Sequence, residues 1–148
     1  MLFQRVNRTD AEKVFVVAYN ASGGAFTIGQ AVAWDCGTSA DGIRVTTPAT
    51  ATLSAFAGLC NAGIANGAYG LLQVYGYNAN ASVKPDVTTA LVAGNILIPK
   101  NGAADLSCDG AAGTAASDGK SGFIIAMQTN TTMTTPSASA HKVFIRAL

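Results

Sequence analysis

Catalysis needs titratable groups held in pairs or triads, and this chain supplies few of them. His141 is the only histidine. Beside Lys142, at the entrance to the last apolar run, it reads as a loop or edge residue, since no GxSxG elbow or reactive-cysteine motif accompanies it. Cys36, Cys60 and Cys108 are an odd number at irregular spacings, which suggests neither a disulfide framework nor a CxxC knuckle. With one histidine, no zinc ligand set of usual spacing can be written, and the three cysteines are expected as reduced, mostly buried thiols. Asp35 and Asp41 lie around a Gly-containing turn, as Asp105 and Asp109 lie around Cys108. Either pair offers oxygen ligands for Ca²⁺, but neither has EF-hand spacing, and turn formation is the simpler reading. Gly23-Gly24 is likewise a turn, because no helix follows to offer its N-terminus to a phosphate. Trp34, Tyr69, Tyr75 and Tyr77 are the candidates for a sugar-stacking platform, although aromatic residues on strands more often form core or cross-strand pairs. No catalytic residue, metal site or cofactor is expected.

The elements that would position these residues are short strands. At 148 residues the chain has the size of one domain, and such a chain buries roughly 70% of its unfolded surface. Much of its apolar content is Ala and Gly, which favours closely approaching strands over a helical bundle. Charged residues make up 11%, under half the usual share of about 25%. A surface so poor in charge is suited to being covered by partners. The net charge is +1 and the nine basic residues are scattered, so nucleic acid, which needs a basic patch, is not an expected partner. Residues 45–83 carry no charge, yet Gly58, Asn61, Gly63, Asn66, Gly67 and Gly70 interrupt them well before a membrane-spanning length accumulates. Residues 1–13 contain no apolar run of signal-peptide length, so synthesis and retention in a cytoplasm are expected. The sequons at Asn20 and Asn130 then carry no meaning.

Along the chain, residues 1–12 read as an arm too short to fold alone, with Leu2, Phe3 and Val6 apolar and Arg5 and Arg8 basic. Strands are predicted over 13–19 (KVFVVAY), 30–34, 42–46, 70–77 (GLLQVYGY), 96–98, 122–128 and 142–146 (KVFIR), with further apolar residues at 87–92. Residues 53–62 have helical propensity, but Gly58 and the glycines that follow favour a strand and turn. Residues 100–122 read as an exposed excursion, too polar and Gly-rich for core, and 129–140 as a Thr-rich surface loop. The expectation is an arm at 1–12 and a single all-β domain at 13–148, an antiparallel sandwich or jelly-roll-like small barrel.

The segments YNASGGAFTIGQAVAWD, AGIANGAYGLLQVYGY, LVAGNILIP, GFIIAMQ and KVFIRAL together resemble the small capsid decoration, or cement, proteins encoded beside phage major capsid genes. The similarity covers about residues 14–148. It implies a non-enzymatic β-sandwich or jelly-roll-like protein, made in the host bacterial cytoplasm, that assembles as a dimer or trimer on the outside of a tailed-phage head. There it would bind the major capsid protein and clamp neighbouring subunits, with Leu2, Phe3, Arg5, Val6 and Arg8 as capsid or subunit contacts. The alternative is a receptor- or glycan-binding module of a phage fibre or lectin-like protein, which would place exposed aromatics such as Trp34 and Tyr77 in one groove. A small hydrolase is the third class, disfavoured by the poor supply of acids, bases and nucleophiles.

Overall fold

The structure is a computed structural model that describes residues 12–37, 40–84, 90–108, 124–131 and 139–147. Its elements are β1 (Lys13–Asn20), β2 (Ala31–Trp34), β3 (Arg44–Thr46), β4 (Phe56–Cys60), β5 (Tyr69–Val83), β6 (Ile96–Pro99), β7 (Leu106–Ser107), β8 (Ile124–Ala126) and β9 (Ser139–Arg146). A 3-10 turn at Thr50–Thr52 is the sole helical element among the described residues. The fold is all-β, in one mixed sheet that curls on itself. The arm predicted for 1–12 lies almost wholly outside the described residues.

The organising element is β5. Its fifteen residues span about 50 Å at a rise of roughly 3.3 Å each, far longer than any neighbour. Along one edge it pairs antiparallel first with β4, at Gln73 and Leu72, and then with β9, from Tyr75 to Val83. Along the other it takes β1, antiparallel from Tyr69 to Gly76, and then β7, parallel at Val83. The ladders therefore close into two rings that share β5. One runs β1, β3, β2, β4, β5, and the other β5, β7, β6, β8, β9.

Each ring has its own apolar filling. Ala18, Phe26, Val32, Val45, Ala57, Cys60, Ile64 and Leu72 fill the first. Ala81, Val83, Leu91, Leu97, Leu106, Cys108, Ile124, Ala126, Val143 and Ile145 fill the second. Strands β2 and β4 form the wall between them: successive side chains of a strand point to opposite faces, and a bulge in β4 at Ala57, between the Ala33–Phe56 and Val32–Gly58 pairs, shifts the alternation by one residue. Thus Val32, Ala57 and Cys60 enter the first core, while Ala31, Phe56 and Leu59 enter the second. This explains why all five residues of β4 are buried, and why its sequence lacks the polar alternation of a half-exposed strand.

Several expectations are changed by these pairings. The 70–77 strand continues to Val83 through Asn78-Ala79-Asn80, a turn-like sequence. The register against β9 shifts between Asn78 and Ala81, and side chains satisfy the disturbed backbone. Gln73 Nε2 donates to the Tyr75 and Tyr77 carbonyls at 3.1 and 3.0 Å, Asn78 Nδ2 donates to Gln73 Oε1 at 2.9 Å, and Asn78 Oδ1 accepts from the Asn80 N–H. The predicted excursion at 100–122 is not all exposed: Asp105, Leu106, Ser107 and Cys108 are buried. Leu106 fills the second core, and Asp105 accepts a 2.7 Å hydrogen bond from Ser82. Residues 109–122 lie outside the described residues. The segment at 53–62 forms β4, a strand as expected, and β9 begins three residues earlier than predicted, at Ser139.

Candidate functional site

The face of the β1–β5 ladder turned away from the first core is apolar. Phe15, Val17 and Tyr19 alternate along β1, and Val17 lies directly opposite Leu71 as Tyr19 lies opposite Tyr69. Val17 is 61% exposed and Tyr69 66%. With Phe15, Leu71 and the adjoining Ile43, they account for five of the nine exposed large apolar side chains among the described residues. Their inward-facing neighbours Val16, Ala18 and Leu72 belong to the first core, so from Val17 to Tyr19 and Tyr69 to Leu71 this strand pair is apolar on both sides, while Phe15 lies opposite the buried amide of Gln73. A half-buried antiparallel pair ordinarily keeps its outer side polar. Among the described residues, the outer edge of β1 meets another strand only at Tyr19 and Asn20, where β3 pairs parallel to it. Scattered surface apolar residues need no explanation, but a contiguous patch marks an interaction site.

At one end of this face lies a cleft of about 240 Å³ lined by Tyr19, Asp41, Ile43, Arg44 and Tyr69. It exists because the parallel pairing of β1 with β3 sets Arg44 beside Tyr19. The guanidinium sits 5.7 Å from the Tyr19 ring centroid, within cation–π range, and the Tyr19 and Tyr69 rings meet edge to face at 5.2 Å. Asp41 holds the turn before β3: its Oδ1 accepts the N–H groups of Ile43 and Arg44 at 2.9 and 3.0 Å, and its Oδ2 pairs with Arg44 Nε at 3.1 Å. The two backbone donors, helped by the guanidinium, hold this carboxyl below the usual carboxylate range. The turn's electrostatic support is therefore complete above the ordinary Asp value and lost only as pH falls through the depressed one.

No family model and no curated protein matches the chain.

The residues singled out in the sequence are dispersed. His141 is neither in a loop nor at an edge: it is 1% exposed on β9, paired with Ala81, and its Nε2 lies 3.2 Å from Asn130 Nδ2. The strand reaches back past Lys142 because β5 extends far enough to receive it. Asp35 accepts the Gly37 N–H, so it shapes a turn, as Asp41 does. Asn20, Ser22 and Gly24 form a hydrogen-bonded turn, as the Gly23-Gly24 reading anticipated. Trp34 packs at the rim of the first core, and Tyr75 stacks edge to face on Phe144 at 5.4 Å. Trp34 and Tyr77 are each half-buried, and of the four candidate aromatics the exposed one is Tyr69. Leu2, Phe3, Arg5, Val6 and Arg8 lie outside the described residues. No group of three or more His, Cys, Asp or Glu among the described residues is placed to hold a metal, and no helix there is long and apolar enough to cross a membrane.

None of the three cysteines is in a disulfide; Cys36 is exposed whereas Cys60 and Cys108 are buried. The expectation of mostly buried thiols holds for Cys60 and Cys108 and fails at Cys36, which follows β2 into a surface turn. Burial pushes the Cys60 thiol up to about 12, so almost none of it is thiolate at neutral pH. Titration of the native protein with a thiol reagent should therefore modify one cysteine per chain rapidly, and the other two only on unfolding. Rapid modification of all three would show that the cores open far more readily than their packing implies.

Proposed function

We propose that the protein is a non-enzymatic structural component of a virion, a decoration protein that lays its β1–β5 face on the outer surface of a tailed-phage head and stabilises the capsid lattice. The observation that carries this reading is the contiguous apolar face of Phe15, Val17, Leu71, Tyr69 and Ile43 on a sheet whose other side already fills a core. The sequence resemblance to phage cement proteins supports it, and so does the low charge, which suits dry contacts. Burying large apolar side chains contributes roughly 1.5–3 kcal/mol each before the cost of association is met. Repeated over many lattice sites, modest contacts suffice, because a protein that binds only the assembled shell stabilises it by mass action. Leu2, Phe3, Arg5, Val6 and Arg8, which precede β1 in the sequence, are proposed as further capsid or subunit contacts. The major capsid protein and sister copies, in a dimer or trimer, are the proposed partners.

The test is a Val17→Asp/Leu71→Asp double variant. Both side chains are surface-exposed, so the variant should fold with a melting temperature within a few degrees of the parent. It should fail to co-sediment with expanded heads of the phage that encodes it. Retention of normal head binding by a folded double variant would refute docking through this face.

A further inference from the structure

The cleft beside Tyr69 has a chemistry that docking on an apolar surface does not use. We propose that Tyr19, Asp41, Ile43, Arg44 and Tyr69 form a binding site for a single neutral pyranose ring, such as the terminal sugar of a surface glycan. The inference goes beyond the decoration role; because Tyr69 and Ile43 also belong to the face proposed to dock, the site is open to a sugar on the undocked chain.

Size is the first argument. At about 240 Å³ the cleft falls below the roughly 300–1,000 Å³ of sites for drug-sized ligands, which suits one saturated ring and excludes an extended ligand held in full. The second argument is the platform. Tyr69 is the most exposed of the large apolar side chains described, and the edge-to-face contact with Tyr19 fixes its ring. An amphipathic ring left in water but held rigid suits stacking against the C–H face of a sugar, at little entropic cost.

The third argument is charge. Asp41 and Arg44 are paired within the site, so it offers no net charge to a phosphate, a carboxylate or an ammonium ion. Of the four lone-pair positions of a carboxylate, the Ile43 and Arg44 N–H groups and Arg44 Nε occupy three. The backbone amide of Asp41 itself is a further donor to the carboxylate, so a sugar hydroxyl meets it as a fixed, negatively charged edge on a side chain 39% exposed. A rigid acceptor beside an aromatic face meets the needs of a sugar hydroxyl, and the fixed turn means that little reorganisation is required on binding. The sites of Tyr19, Asp41 and Tyr69 come from three separate segments that the β1–β3 and β1–β5 pairings bring together.

The experiment is an ¹⁵N–¹H NMR titration of the full chain with the methyl pyranosides of glucose, galactose and mannose and with N-acetylglucosamine, each into the millimolar range. At least one should produce saturable shifts confined to Tyr19, Asp41, Ile43, Arg44, Tyr69 and their chain neighbours. Tyr69→Ala should weaken that binding at least tenfold without changing the melting temperature, while Tyr69→Phe, which keeps the ring, should stay within about threefold of the parent. Failure of all four sugars to bind would overturn the proposal, and so would binding that survives Tyr69→Ala or maps elsewhere. The isolated chain is used throughout, so this outcome is independent of whether the Val17→Asp/Leu71→Asp variant binds heads.

Discussion

Gly76→Ala should prevent normal folding, or leave a protein destabilised by more than about 3 kcal/mol. Gly76 has φ +99°, and a Cβ there would overlap the backbone carbonyl of Glu12 and crowd the Lys13 Cα. Neither obstacle is a flexible side chain. β1 would have to leave β5 at the Lys13–Gly76 pair, at the place where β5 passes from the first ring to the second. Gly94→Ala is the control, since Gly94 has nearly the same φ, +93°, but nothing within 4 Å of the added Cβ. It should cost only about 1–2 kcal/mol for the left-handed backbone. Urea unfolding of the two variants measures the difference. Equal costs would mean that β1 yields easily and that the junction is not a tight one.

Asn20 is a second position where one residue carries a large share of the structure. It is fully buried at the end of β1. Its Nδ2 donates to the Gly24 and Ile64 carbonyls at 2.8 and 3.0 Å, and its Oδ1 accepts from the Ser22 N–H and hydroxyl at 3.0 and 2.7 Å. All four hydrogen-bonding positions of the amide are used, and they tie the first turn to the connection between β4 and β5. Asn20→Ala should destabilise by about 2–4 kcal/mol, the sum of lost buried hydrogen bonds and a small cavity. The isosteric Asn20→Asp should cost more, because it sets a carboxylate oxygen against two carbonyls with no donor between them. Thermal unfolding of both separates the readings: an Asp variant as stable as the parent would show that donation by Nδ2 contributes little.

The same two regions show how far the sequence can be read. The all-β class, β1, the first half of β5 and the strand at β4 follow from β-branched and apolar patterning with Gly-rich breaks. The second half of β5 does not, because Asn78-Ala79-Asn80 has the composition of a turn. It becomes a strand only through the Gln73 and Asn78 side chains and the β9 partner, both tertiary effects. Leu106 and Cys108 were hidden inside a polar stretch, since one or two core residues leave no periodic signal. The burial of His141 was illegible for a related reason: its environment is made by Asn130 and Ala81, which are distant in sequence. Tyr69 was among the aromatic candidates, but its association with Asp41 and Arg44 depends on a parallel β1–β3 ladder that an antiparallel scheme does not contain.

The shared strand also orders events on the ribosome. Every strand of the first ring lies within residues 13–83, so that ring can close while the C-terminal two-fifths of the chain is still being made. The second ring needs β9, the final strand, which must travel back to pair along β5. Until the strands after β5 are in place, Ala31, Phe56 and Leu59 on the far side of the β2–β4 wall, together with Ala81 and Val83, lack the partners that cover them in the finished core. The nascent protein thus passes through a half-built stage with one finished core and one open apolar wall. Its vulnerability to aggregation and to chaperone capture is set by how quickly the C-terminal strand finds its place.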